Sequence, residues 1–323
     1  MKAAVIGAGI AGLRLARILN AEGLDVHVFE KARGPSGRLA TRRNETGQFD
    51  HGAQYFTARS PSFLQQVEEW NGRGVVEPWG AKVVHLEGGL SRREDDSPVR
   101  YVGAPRMSAV ARDLSEGLAA EFSTRVSSVK RTGREWSLEI DEKEEREGFD
   151  LVLLAVPAPQ AVPLLLLNPV LARRAGEVHM LPCHALMVQL ETELDVNFDA
   201  AFVESPSLSW VANNASKPGR MPGHSWILHS TADWSQSHLE TPVEVIRDEL
   251  LEAFSSATES VIPAANFFAV HRWLYARSGG GLDGEPLWDP DMGIGACGDW
   301  IQGDRVEDAY LSADALASEI LNR

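Results

Sequence analysis

The feature that most constrains this chain is Gly7-Ala8-Gly9-Ile10-Ala11-Gly12, a G-x-G-x-x-G set between a strand signal and a helix signal. Residues 2–7 are an apolar run that stops at glycine, as a buried parallel strand does. Residues 10–21 then place Ile10, Leu13, Ala16, Ile18 and Leu19 at helical spacing around Arg14 and Arg17. After Gly23, Val26 to Glu30 reads as a second strand, which makes a βαβ unit with a right-handed crossover. In that setting Gly7 allows the tight turn and Gly9 lets the backbone approach a pyrophosphate. Gly12 lets the helix pack close to the strand, and the helix N-terminus at Ile10 and Ala11 faces the phosphate charge. Glu30 ends the second strand eighteen residues after Gly12, where an acid bonds the ribose hydroxyls of a dinucleotide. An acid there disfavours a 2′-phosphate, hence NADP as the resident nucleotide.

Two further segments separate the flavin nucleotides from the nicotinamide ones. Lys31-Ala32-Arg33-Gly34-Pro35-Ser36-Gly37-Arg38 puts glycines and cations directly after the ribose acid, so Lys31, Arg33, Gly37 and Arg38 are candidates to wrap a pyrophosphate. Near the C-terminus a short strand ends in Gly298-Asp299, and a helix opens at Val306 to Ala313. Asp299 can hold a ribityl hydroxyl, while Val306 and Ala309 sit where a helix N-terminus offsets negative charge on a flavin pyrimidine edge. A plain NAD dehydrogenase has no use for these segments, whereas an enzyme that holds FAD extended does.

Between them, 60–70 reads as a helix with Ser60 as N-cap and Pro61 at its first position, and 107–118 as another. Residues 83–103 read as hairpins turning at Gly88-Gly89 and Asp95-Asp96-Ser97-Pro98. Strands are expected at 123–131, 136–140, 151–156, 185–191, 200–204, 208–213, 225–230, 267–271 and 292–298, helices at 241–255 and 306–321, and a solvated hairpin tip at 141–147. The fold class is therefore α/β: a discontinuous Rossmann-type nucleotide domain (1–58, 104–165 and 268–323) with an inserted mixed or antiparallel sheet (59–103 and 166–267) as substrate domain.

Composition narrows the function. Among 323 residues the net charge is −15, so nucleic acid and anionic membrane surfaces are poor partners. The most apolar stretch, 151–167, is broken by Pro157, Pro159, Gln160 and Pro163, so no membrane span is expected. Two cysteines, Cys183 and Cys297, make no disulfide framework and fit a reducing compartment, so a cytoplasmic location is expected. His179, Cys183 and His184 match no common metal spacing, so no metal is expected.

At this point the chain resembles the flavin amine oxidase superfamily and, within it, the bacterial renalase-like enzymes. The resemblance runs end to end, through Gly7–Gly12, Arg33–Arg38, Asp50-His51-Gly52-Ala53-Gln54-Tyr55-Phe56-Thr57 and Val156-Pro157-Ala158-Pro159-Gln160. It continues through Asn213–Arg220, His271-Arg272-Trp273-Leu274-Tyr275-Ala276-Arg277, Gly298-Asp299-Trp300 and Val306–Ala313. It implies a two-domain fold like that of p-hydroxybenzoate hydroxylase, holding FAD non-covalently. Gly52, Ala53 and Gln54 would lie near the isoalloxazine, Val126 beside the adenine, and Pro157 at the cofactor. The implied activity is oxidation of the 2-dihydro and 6-dihydro isomers of NAD(P)H, with hydride passing to flavin N5 and O2 returning as H2O2.

That chemistry asks for no side-chain nucleophile, because the cofactor carries it and the protein positions two rings. An aromatic slot and cations for a substrate pyrophosphate are what it needs. Gln54, Tyr55, His271, Trp273, Tyr275 and Trp288 are candidates for the slot; Lys217, Arg220 and Arg272 are candidates for the charge. The alternatives are an amine oxidase proper and a non-catalytic flavin-binding protein.

Overall fold

The apolar runs Lys2–Ile6 and Leu151–Leu154 are adjacent parallel strands at the centre of a six-stranded sheet in the computed structural model, which describes residues 1–87, 90–93 and 98–322. The strand order is Leu287–Asp289, Ile294–Ala296, Leu151–Leu154, Lys2–Ile6, Asp25–Phe29, Ala119–Glu121, and only the Leu287–Asp289 edge is antiparallel. Both faces are covered, which explains why residues 3–6 and 151–154 are apolar at every position. Ala3, Val5, Leu151 and Leu153 pack with Leu13, Ala16, Ala313 and Leu316 of the helices Ile10–Ala21 and Val306–Leu321. Ala4, Ile6, Val152 and Leu154 point the other way, onto Trp136, Leu138 and Phe149 of a three-stranded antiparallel sheet (Val126–Thr132, Glu135–Ile140, Arg146–Phe149). The α/β Rossmann-type class expected from the sequence is the class observed.

A second, seven-stranded mixed sheet runs Ala265–Ser278, Met180–Leu190, Ser225–Ser230, Leu208–Asn213, Ala200–Val203, Val83–Glu87, Leu90–Arg93. The helix Val243–Thr258 covers one face through Ile246, Leu250 and Phe254, spaced four apart, packed on Leu186, Val188 and Trp226.

Several extents differ from the sequence reading. Ala265–Ser278 is one fourteen-residue strand where 267–271 was expected, and it pairs with Met180–Leu190 from Ala265 to Ser278. A boundary at 268 therefore cuts a strand of the seven-stranded sheet, and the chain returns to the six-stranded sheet only after Ser278. The helix Pro61–Gly72, N-capped by Ser60 accepting from Phe63 N, sits with the first layer, since Phe63 and Trp70 pack against Tyr310 of the C-terminal helix. Residues 59–72 thus do not belong with the inserted sheet. The hydrophobic contacts that place them come from 240 residues away in sequence and carry no local signal. The 107–118 helix is shorter, Ala109–Ser115, and the short helices Ala158–Ala161, Pro169–Gly176 and Ala232–Ser237 were not anticipated. Val83–Glu87 and Leu90–Arg93 do pair as a hairpin. The turn signals at 88–89 and 95–97 lie outside the described residues.

Candidate active site

Between the two sheets lies a cleft of about 1300 Å³, larger than the 300–1,000 Å³ of an ordinary single-ligand pocket. One half is built by the nucleotide motifs. Gly7, Gly9, Ile10, Ala11, Glu30, Lys31, Gly37 and Arg38 line it, joined by Gly52, Ala53, Gln54, Val126, Pro157, Gly298, Asp299, Val306 and Ala309. The helix Ile10–Ala21 starts here on Gly9 with no side-chain cap, so its first-turn N–H groups and its dipole are directed at the cleft. Gly9 and Gly37 cross so closely that a Cβ on Gly37 would stand 3.1 Å from Gly9 Cα. Two loops of bare backbone thus converge where a pyrophosphate approaches a helix N-terminus.

Glu30 is buried at the floor and fixes this turn. Its Oε2 accepts from Ala8 N and its Oε1 from Ala32 N, both at 2.8 Å. Each carboxylate oxygen keeps a lone pair for a ribose hydroxyl. At the other end Arg38 and Asp299 form a bidentate ion pair, with Arg38 also donating to Ala276 O at 3.1 Å. The sequence reading gave both to the cofactor; here they hold each other and join the two ends of the chain while still lining the cleft. The Val306–Leu321 helix adds a second N-terminus, closed by an Arg305–Asp308 capping box. Bare-glycine cradle, ribose-type acid and two helix N-termini together fit an extended FAD.

The other half comes from the seven-stranded sheet. Tyr55, His271, Arg272, Trp273 and Tyr275 line it. Tyr55 lies 5.5 Å from the Trp210 ring, and Trp210 lies 4.8 Å from Phe202. The Trp210 indole N–H is buried with no partner. Across the group, His51 stacks on Trp273 at 5.3 Å and meets His271 at 4.8 Å, and Trp273 Nε1 donates to His51 O at 2.8 Å. Burial, and for His51 the neighbouring His271, hold the imidazoles down: His51 and His229 lie near about 4, and His271 lies below its ordinary value. They are neutral at physiological pH. Sequence reasoning missed Trp210, Phe202, His229 and Ser209 as cleft residues. They arrive through strand register, and nothing local in the sequence marks them. His51 and Arg277 sat inside motifs of the resemblance without being singled out.

Five sequence candidates lie outside the cleft lining. Gly12 packs behind it, where a Cβ would stand 2.9 Å from Ala155 Cβ, and Arg33 is exposed. Trp288 belongs to the antiparallel edge strand Leu287–Asp289 at the far margin of the first sheet. Lys217 and Arg220 are buried and already engaged. Lys217 Nζ donates to Gln54 Oε1 at 3.1 Å and Asn214 Oδ1 at 3.0 Å, and lies 3.5 Å from Asp50 Oδ2. Arg220 donates to the same oxygen from Nη2 at 2.6 Å and Nε at 3.1 Å, and to Gly103 O at 2.6 Å. Two cations on one buried carboxylate leave neither for a substrate phosphate. Gln54 is likewise turned inward, its Nε2 donating to Asp50 O and Gly52 O, so its side chain braces the 50–54 loop from behind.

Burial lowers Lys217 from 10.5 to about 8, with Asp50 pulling it back up and Arg220 pushing it further down. The unfolded chain therefore binds more protons than the native one between those two values, and native stability rises with pH across that window. Urea midpoints of the wild type and Lys217→Met, compared from pH 7.5 to 10.5, are expected to diverge in favour of the wild type above pH 8. A constant difference would remove this assignment.

Comparison with known proteins identifies the family. The NAD(P)-binding Rossmann-like domain matches residues 5–70, and the flavin-containing amine oxidoreductase family matches residues 84–321. The chain belongs to the flavin-containing amine oxidoreductase family. Among curated relatives, renalase of Mus musculus is 22% identical over 296 residues, covering 84% of each chain. Among solved structures, a protein of Exiguobacterium sp. 255-15 assigned as a protoporphyrinogen oxidase superposes with a TM-score of 0.79 at 13% identity, covering 100% of this chain and 99% of that one. A redesigned putrescine oxidase superposes with a TM-score of 0.71 at 14% identity over the same shares. These likenesses establish the fold and, with the family match, a flavin-containing oxidoreductase. Among the described residues no helix is long and apolar enough to cross a membrane.

Proposed function

We propose that this flavin-containing oxidoreductase is a renalase-like oxidase of dihydronicotinamide dinucleotides, acting in the cytoplasm on the 2-dihydro and 6-dihydro isomers of NAD(P)H with non-covalently held FAD. The balance is dihydro-NAD(P) plus O2 plus a proton, giving NAD(P)+ and H2O2. Bound FAD supplies the two-electron acceptor and the route to O2. The chain's own contribution is placement: Glu30, the Gly7–Gly12 turn and the Gly37–Arg38 loop hold the nucleotide part, and the Gly52–Gln54 loop backs the ring. Tyr55, Trp210, His51 and Trp273 offer flat surfaces to a second ring and keep water off it.

One observation carries the choice of substrate. The cleft wall contributed by the seven-stranded sheet contains no Asp or Glu among the described residues, and its imidazoles are neutral. The cluster behind it, Asp50 with Lys217 and Arg220, carries an excess positive charge when Lys217 is protonated. An ammonium substrate would enter without a counter-ion and against that field. A neutral dihydropyridine ring bearing a phosphorylated tail suits the same wall.

The test is anaerobic mixing of the yellow holoenzyme with borohydride-reduced NAD+, a mixture of 2-, 4- and 6-dihydro isomers, beside ordinary NADH and a panel of primary amines. Rapid bleaching by the 2- or 6-dihydro forms, without bleaching by amines, is the expected result. Bleaching by amines alone would overturn the proposal and return the site to amine oxidation.

A further inference from the structure

We propose that Arg277 is the phosphate-binding residue of the substrate half of the cleft, and that it takes a nucleoside diphosphate group. This rests on the dinucleotide reading above and deepens it by naming the cation that Lys217 and Arg220 turned out not to supply.

The argument is a census of positive charge along the cleft. Six cations line it: Lys31, Arg38, Arg125, Arg272, Arg277 and Arg305. Arg38 is held by Asp299, and Arg305 by Asp308 and Glu307. Arg272 is held by Glu240 at 2.7 Å, and Arg125 lies 3.9 Å from Asp141. Lys31 donates to Gln160 at 3.3 Å. Of these six, Arg277 alone has neither an ion pair nor a side-chain hydrogen bond with another described residue.

Position supports the same role. Arg277 lies on Ala265–Ser278, four residues after Trp273, so roughly 13 Å of strand at most separates it from the aromatic group. Its charge is felt inside the cleft: burial pushes the Cys183 thiol up to about 11, and Arg277 is among the groups that oppose the rise. A guanidinium offers two parallel N–H groups to a phosphate, so a flat ring lodged at Tyr55 and Trp273 would have its anionic tail drawn along this strand. Ser230 and Cys183 line the cleft from the neighbouring strands Ser225–Ser230 and Met180–Leu190.

The probe is ADP-ribose, which carries the diphosphate but no oxidisable ring, titrated into FAD-loaded enzyme and followed by calorimetry. Arg277→Gln is expected to weaken ADP-ribose about 10- to 100-fold, the range for losing a charge-assisted bidentate contact, with Arg277→Lys recovering part of the loss. Adenosine, lacking phosphate, should bind wild type and variant alike, and flavin content should stay unchanged. Three results would overturn the proposal: no ADP-ribose binding by the wild type, equal binding by Arg277→Gln, or loss of FAD from that variant, which would give the guanidinium to the cofactor. Because ADP-ribose binding is read without turnover, the subsite can fail while dihydronicotinamide oxidation stands, and the reverse.

Discussion

Asp50→Ala is expected to lower unfolding stability by about 3–5 kcal/mol, the cost of leaving buried cations without their counter-charge. Asp50 has no exposed surface, and it is the only carboxylate paired with Lys217 or Arg220 among the described residues. Burial alone would push its carboxyl up, but Lys217 and Arg220, with hydrogen bonds from Thr41 and Arg220, hold it below the usual carboxylate value. It also accepts from Thr41 Oγ1 at 2.6 Å and from Met107 N at 3.2 Å, so one side chain gathers four segments of the chain. Removing it leaves Arg220 without a counter-charge and drives Lys217 further towards its neutral form. Urea unfolding of Asp50→Ala and of the milder Asp50→Asn checks this, with Asn expected to fall between Ala and wild type. A loss under 1 kcal/mol for Ala would mean that the two cations find other partners.

That cluster marks the limit of what the sequence could disclose. Strand, glycine turn, helix and ribose-type acid were legible at 2–30 because each is a local signal with a fixed spacing. Gly298-Asp299 and the Val306 helix were legible for the same reason, and the flavin-containing family followed from the combination. Lys217 and Arg220 stood beside Pro218-Gly219 and looked like cations available in a loop. Their partner is Asp50, 167 and 170 residues earlier, and no periodicity connects them. Trp288 failed similarly: an aromatic residue near a glycine strand looks the same whether it faces a cleft or an outer edge. The aromatic wall of Tyr55, Trp210 and Phe202 depends on the register between Ala200–Val203 and Leu208–Asn213, where Phe202 stands opposite Trp210. One residue of slip would turn those rings to the other face. Arg277 was visible in a motif, but its lack of a partner could be seen only once every other cation of the cleft had been matched.

Gly52→Ala is expected to strip the protein of most of its flavin while leaving it folded. A Cβ on Gly52 would stand 2.0 Å from Arg38 O and 2.9 Å from Arg38 C, both backbone atoms, so no side-chain rotation can relieve the contact. The neighbouring Ala53 N donates to that same Arg38 O at 2.9 Å, which is the bond that lays the 50–54 loop across the 37–39 turn. Relief requires parting these two segments by an ångström or more, and both line the nucleotide half of the cleft. Overpacking of this kind typically costs ~1–3 kcal/mol, and here the relaxation is directed into a binding surface. A shift borne mainly by cofactor binding would weaken FAD by roughly 10- to 100-fold. Gly72→Ala is the control, because a Cβ there meets nothing within 4 Å. Flavin-to-protein ratios after gel filtration, followed by FAD titration of the stripped proteins, separate the two. Full flavin in Gly52→Ala with an unchanged dissociation constant would show that the 50–54 loop does not back the cofactor, and the ring-positioning role given to it would have to pass to the wall carrying Trp273 and Tyr275.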